Sequence, residues 1–146
     1  MLSPFNIISV PVAEVDFSQP IFSSLKAEYA GFDEWVERLL LDGSNRQAFL
    51  YQEDGVYLAV SLLKNYESTA VGEATKISTF KVEGSAAGRG LGTVLMSAVL
   101  IAAPCENVYI EVFPKHLELI AFLEGLGFTH EPYRSSKGES VLLFRK

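Results

Sequence analysis

The segment Thr79-Phe80-Lys81-Val82-Glu83-Gly84-Ser85-Ala86-Ala87-Gly88-Arg89-Gly90-Leu91-Gly92-Thr93-Val94-Leu95 constrains this chain more than any other. A buried strand ending near Val82 runs into a loop from which every large side chain except Arg89 is missing, and the loop continues as a helix. Glycines at the alternate positions Gly88, Gly90 and Gly92 let the backbone approach a ligand closely. The helix start adds N–H groups that have no partner within the helix, with the positive end of the dipole behind them. The combination makes an anion site, and phosphate is its natural guest.

Spacing decides which phosphate ligand. An ATPase-type loop needs Gly, four residues, then Gly-Lys-Ser/Thr, and counting on from Gly84 puts Arg89 where the second glycine belongs. The dinucleotide fingerprint Gly-x-Gly-x-x-Gly meets Thr93 at its third glycine when read from Gly88, and Leu95 when read from Gly90. What the segment resembles is the acyl-coenzyme A signature of the GNAT acetyltransferases, Arg/Gln-x-x-Gly-x-Gly/Ala, preceded by a strand ending in Val and followed by an apolar helix. Here it reads Ala87-Gly88-Arg89-Gly90-Leu91-Gly92, so the first position departs from the pattern.

Composition narrows the remaining classes. A chain of 146 residues, 49% hydrophobic and 21% charged, is long enough for one folded domain (1–146) with a sizeable core and is not disordered. Its net charge of -6 argues against nucleic acid, which requires clustered Lys and Arg, and favours a cationic or neutral acceptor. Pro4 and Pro11 interrupt an N-terminus that has no secretory pattern. The apolar stretch Thr93 to Cys105 is too short to span a bilayer. A single cysteine makes no internal disulfide, so a cytoplasmic protein without metal and without membrane contact is expected.

Taken in order, Asn6 to Val12 reads as a first strand rich in β-branched residues. Ser18 and Pro20 start a helix carrying Ile21, Phe22, Leu25 and Tyr29 and stopped by Gly31; Asp33 caps a second one with Trp35, Val36, Leu39 and Leu40, ending at Gly43. Gln47 to Gln52 and Val56 to Lys64 form a hairpin about Asp54-Gly55, Asn65 to Gly72 is a polar loop, and Glu73 to Val82 is the central strand. A helix runs from Leu91 to the region of Pro104, a strand alternates from Val108 to Phe113, and a helix spans Lys115 to Glu124. Phe128 to Tyr133 and Val141 to Arg145 complete the chain as a last hairpin.

The resulting order, β-α-α-β-β-β-α-β-α-β-β, resembles the GNAT fold along nearly the whole chain: an α/β (α+β) class with a mixed, mostly antiparallel central sheet flanked by helices. Leu126-Gly127-Phe128 looks like the family's usual ending of the last helix. A looser likeness, around Tyr29-Ala30-Gly31-Phe32-Asp33-Glu34-Trp35 and Ile77-Ser78-Thr79-Phe80-Lys81-Val82, is to GNAT domains fused to PIN-type nuclease domains. The resemblance implies direct acetyl transfer from acetyl-coenzyme A, as cosubstrate, to a small or peptidyl amine, with no covalent intermediate. It implies that backbone groups of Phe80, Lys81 and Val82 pair with the pantetheine arm. It implies, too, that N–H groups from Gly88, Arg89, Gly90, Leu91, Gly92 and Thr93 take the pyrophosphate.

The acid and base are less legible. The position where many family members carry a tyrosine acid is Leu123, beside Phe122, and neither side chain donates a proton. The helix-start position often held by asparagine is His116, a residue type that carries protons near neutral pH. Strand alternation puts Tyr109 and Glu111 on one face, which makes Glu111 the candidate base, Glu73 its reserve, and Tyr109 or Tyr133 candidate acids. Cys105, with no histidine nearby in sequence, does not read as a nucleophile. Phe17, Phe22, Tyr29, Phe32 and Trp35 read either as helix-to-sheet core or as an apolar acceptor wall, with Glu28, Asp33, Glu34 and Glu37 as a solvated face or an acidic rim. Two functional readings stand: an active N-acetyltransferase, and a catalytically degenerate module that binds coenzyme A or a partner protein. A homodimer through strand edges is compatible with both.

Overall fold

A computed structural model describes residues 6–146; Pro4 and the rest of Met1–Phe5 lie outside the described residues. The strands are β1 (Ile8–Val10), β2 (Arg46–Glu53), β3 (Val56–Thr69), β4 (Gly72–Val82), β5 (Asn107–Val112), β6 (Thr129–Arg134) and β7 (Ser140–Arg145). The α-helices are α1 (Ser23–Glu28), α2 (Phe32–Leu41), α3 (Leu91–Ala102) and α4 (Leu117–Gly125). The strands hydrogen-bond in the order β1-β2-β3-β4-β5-β7-β6, a mixed sheet in which β4 and β5 run parallel. The expected element order and fold class are observed. Packing divides the chain into two compact units, Met1–Leu63 with Thr79–Ala102, and Lys64–Ser78 with Ala103–Lys146.

In the first unit, β1 pairs antiparallel with β2 in the register Ile8↔Leu50 to Val10↔Ala48. The first strand is shorter than Asn6 to Val12, because Pro11 ends it and Val12–Glu14 turns as a 3₁₀ helix. Ser18 is not a cap either. Its N–H and hydroxyl both bond Asp16 Oδ1, and the chain enters α1 through a 3₁₀ turn at Pro20–Phe22. Gly31, not Asp33, is the N-cap of α2; Asp33 and Glu34 sit in its first turn, where their charge suits the dipole. Leu40 stays largely exposed, and Phe32 and Leu39 are the buried residues of that helix.

The core of this unit is aromatic. Phe22 is fully buried, with ring centroids 5.0 Å from Phe17, 6.1 Å from Phe32 and 6.4 Å from Tyr57. Ala48, Leu50, Val60 and Leu62 pack in the same cluster. Seven consecutive residues of β3, Tyr57 to Leu63, are buried, the run of a strand covered on both faces. The two hydroxyls among them are both bonded: Ser61 Oγ donates to Thr79 O at 2.9 Å, and the Tyr57 phenol accepts from the Asp16 N–H at 3.0 Å. Asp54 (φ 51) and Gly55 (φ 78) make the β2–β3 turn with both residues left-handed, as the Asp-Gly signal predicts.

In the second unit the polar loop expected at Asn65 to Gly72 is strand instead: β3 runs to Thr69 and β4 begins at Gly72. Thr69 closes that turn, its Oγ1 donating to Gly72 O and accepting from the Val71 N–H. The register of β4 with β5 runs from Thr75↔Val108 to Ile77↔Ile110, and β7 pairs antiparallel with β5 from Asn107↔Arg145 to Val112↔Ser140. Helix α4 starts at Leu117, two residues later than the sequence pattern has it, with His116 at its N-cap. It ends where Gly127 (φ 106) turns the chain and the Phe128 N–H bonds Leu123 O at 3.0 Å. Among the described residues, no helix is long and apolar enough to cross a membrane.

Candidate functional site

The glycine loop lies wholly in the first unit. The Glu83 N–H donates to Leu58 O at 2.8 Å, which ties the end of β4 to β3. Gly84–Ala86 then makes one 3₁₀ turn, with the Glu83 carboxylate accepting from the Gly84 N–H, and the buried Ala86 side chain anchors it. Gly88 (φ 84) and Gly90 (φ 74) are left-handed, and a Cβ built on either meets nothing within 4 Å. Backbone conformation, not crowding, therefore demands glycine at these two places, and the space above them is open. The first intrahelical bond of α3 is Val94 N–H to Gly90 O at 3.2 Å, so the N–H groups just before it have no partner within the helix. No carboxylate stands in the first turn of α3. Leu91 is buried and can offer only its backbone, whereas Thr93 is exposed.

Arg89 has an unforeseen partner. Its Nη1 and Nη2 fork onto Glu53 Oε1 and Oε2 at 3.1 and 2.6 Å, and the Tyr51 hydroxyl donates to the same carboxylate at 2.5 Å. The guanidinium and then the phenol lower the Glu53 pKa to about 2, so the carboxylate stays charged through the neutral range. The sequence carried no signal for this pair, since Glu53 lies 36 residues from Arg89 and meets it only because the β2–β3 hairpin reaches the loop.

The other candidates lie in the second unit. Alternation along β5 buries Val108, Ile110 and Val112 and turns Tyr109 and Glu111 to the opposite face, as expected. Glu111 is held by Lys76, Nζ to Oε1 at 2.7 Å. Burial pushes the Tyr109 phenol well above the usual tyrosine range, and Glu67, Glu111 and Tyr133 add to the effect. The His116 ring lies 6.4 Å from that of Phe113. Leu123 is fully buried, whereas Tyr133 is exposed. Cys105 is a structural residue: it is buried, its N–H donates to Thr75 Oγ1 and its thiol faces Asn65 O. Of the aromatics of the first helices, Phe22 and Phe32 are buried in the core, and Phe17, Tyr29 and Trp35 pack partly buried against it. Among the described residues, no three His, Cys, Asp or Glu side chains are grouped to hold a metal.

The profile of the acetyltransferase (GNAT) family matches residues 13–128. No curated protein sequence matches. Among solved structures the chain is similar to yncA of Salmonella typhimurium, a putative acetyltransferase with its cofactor acetyl-CoA (16% identity, TM-score 0.68, covering 95% of this chain and 92% of that one). It is also similar to the IAA acetyltransferase of Bacillus cereus (13%, TM-score 0.70, 96% and 98%) and the PaiA N-acetyltransferase of Thermoplasma acidophilum in complex with coenzyme A (12%, TM-score 0.69, 96% and 99%). At these identities the likeness is one of fold.

Proposed function

Because the chain belongs to the acetyltransferase (GNAT) family, we propose that residues 1–146 act as one catalytic domain that transfers an acetyl group from acetyl-coenzyme A directly to a primary amine. The observation that carries this reading is the pair of left-handed glycines, Gly88 and Gly90, in front of α3. With no Cβ at either position and open space there, the backbone N–H groups of the loop are accessible to a diphosphate. Phe80 to Val82, the part of β4 beyond its register with β5, takes the pantetheine arm. In the transfer the amine nitrogen bonds the acetyl carbon, the carbon–sulfur bond breaks, the amine proton goes to a base and the thiolate is protonated.

For the proton transfer we assign His116 in preference to Glu111 and Tyr109. Protonating Glu111 would leave Lys76 without its counter-charge, and a phenol raised as far as that of Tyr109 gives up its proton poorly near neutral pH. Turnover is the test: release of free coenzyme A from acetyl-coenzyme A across a panel of primary amines, reduced on the order of a hundredfold in His116→Ala. Binding without turnover on any amine would instead favour a module that only binds coenzyme A, the reading that the buried Leu123 supports.

Glu53 also gives a prediction. In the proposed complex its charge stands beside a polyanion and its fork occupies Arg89. Glu53→Gln is expected to tighten acetyl-coenzyme A binding several-fold by titration calorimetry, and Arg89→Ala in that background to remove the gain. Weaker binding by Glu53→Gln would show that the carboxylate positions Arg89 for the ligand and does not compete for it.

A further inference from the structure

The second unit carries a cavity of about 200 Å³ that the acetyl-transfer reading does not use. Its floor is built by the register of β5 with β7, which pairs Tyr109 with Leu143 and Glu111 with Val141 and so sets all four on one face. Val141 and Leu143 are 4% and 8% exposed, an apolar base under polar walls. The tip of the β3–β4 hairpin, with Val71, closes one side, and Glu131 and Tyr133 of β6 close another.

The chemistry of the lining is one-sided. It includes two carboxylates and two phenols but no lysine, arginine or histidine. Of the carboxylates, Glu111 is answered by Lys76, and the nearby Glu67 is answered by Lys64 at 2.5 Å. Among the described residues, the side chains of Glu131, Tyr109 and Tyr133 make no hydrogen bond or ion pair, although all three line the cavity. The phenol of Tyr109, raised by its burial and then by the surrounding acids, stays protonated and neutral. An anion is disfavoured here, and a neutral apolar guest would leave the Glu131 charge without a partner. A cation with N–H donors and a short apolar stem satisfies every wall: the carboxylate by a charge-assisted bond, the rings by contact with their faces, the floor by burial.

We propose that this cavity is a binding site for a small organic ammonium ion, held by Glu131 between Tyr109 and Tyr133 over the Val141 and Leu143 floor. The volume, about 200 Å³, suits a short amine. None of the lining residues belongs to the glycine loop, so the site stands whether or not acetyl-coenzyme A binds there.

The test is a titration of the full chain at constant ionic strength, following the amide resonances of Val71, Tyr133 and Leu143. The probes are n-butylammonium, its neutral isostere butan-1-ol, and butyrate. Saturable shifts are expected with n-butylammonium alone, weakened about tenfold by Glu131→Gln and a few-fold by Tyr133→Leu, with the response to acetyl-coenzyme A unchanged in both variants. No saturation by about 100 mM n-butylammonium, equal binding of butan-1-ol, or an unaltered constant in Glu131→Gln would overturn the site. Should Glu131→Gln disturb the spectrum as a whole, the comparison of the three probes on the unsubstituted chain decides alone.

Discussion

Gly90→Asp is expected to eliminate the thermal stabilisation that acetyl-coenzyme A gives the unsubstituted chain. Ligand at a hundred times its dissociation constant adds about 2.7 kcal/mol to a native state that alone binds it. For a chain of this length that is a rise of roughly 10 °C in melting temperature. The substitution places a carboxylate where the diphosphate is proposed to lie, at the mouth of α3. It does so without steric cost, because a Cβ at Gly90 meets nothing within 4 Å. The left-handed φ of 74 costs about 1 kcal/mol in an L-residue, and Asp tolerates that region better than most. The ligand-free protein should therefore melt only a few degrees lower. Gly90→Asn carries the same backbone strain without the charge and should retain most of the shift, which separates electrostatics from geometry. A full shift in Gly90→Asp would place the diphosphate elsewhere and remove the basis of the proposed activity.

Phe22→Ala should be the most damaging single truncation in the first unit. The ring is fully buried and touches three other aromatic rings. Removing it forfeits both transfer free energy and packing, about 3–5 kcal/mol in all. Against a total stability on the order of 5–15 kcal/mol, that is a large fraction. In urea the midpoint should fall with little change in slope. Leu41→Ala is the control: Leu41 is 89% exposed and its truncation should change stability by less than about 0.5 kcal/mol. A loss under about 1 kcal/mol in Phe22→Ala would mean that the site collapses around the gap and that the ring cluster is not what holds the first helices.

What could be read from the sequence follows from how local each signal is. Asp54-Gly55 specifies its turn by its own backbone preferences, and Val108, Ile110 and Val112 specify a one-faced strand by alternation, so both were legible. The glycine loop was legible for the same reason, because Gly88 and Gly90 encode their left-handed backbone in their own identity. Residues 65–69 were not legible: Asn65, Glu67 and Ser68 carry no strand propensity, and the segment is held extended by tertiary bonds such as Thr75 Oγ1 to Asn65 O at 2.9 Å. Ser18 and Asp33 have the chemistry of caps, but Asp16 takes the first and Gly31 precedes the second. In the candidate site, the loop could be found by pattern. The partners that decide what its neighbours do, Glu53 for Arg89 and Lys76 for Glu111, are side chains brought together only by the folded sheet.

The outermost strand of the second unit has a consequence for how the protein behaves when concentrated. Pro132 interrupts β6, its pairing with β7 shifts register between His130 and Arg134, and most of its side chains are exposed and polar. Such a rim offers an incoming chain a broken row of donors and no flat apolar surface. Growth of stacked, fibre-like aggregates from that side is therefore disfavoured.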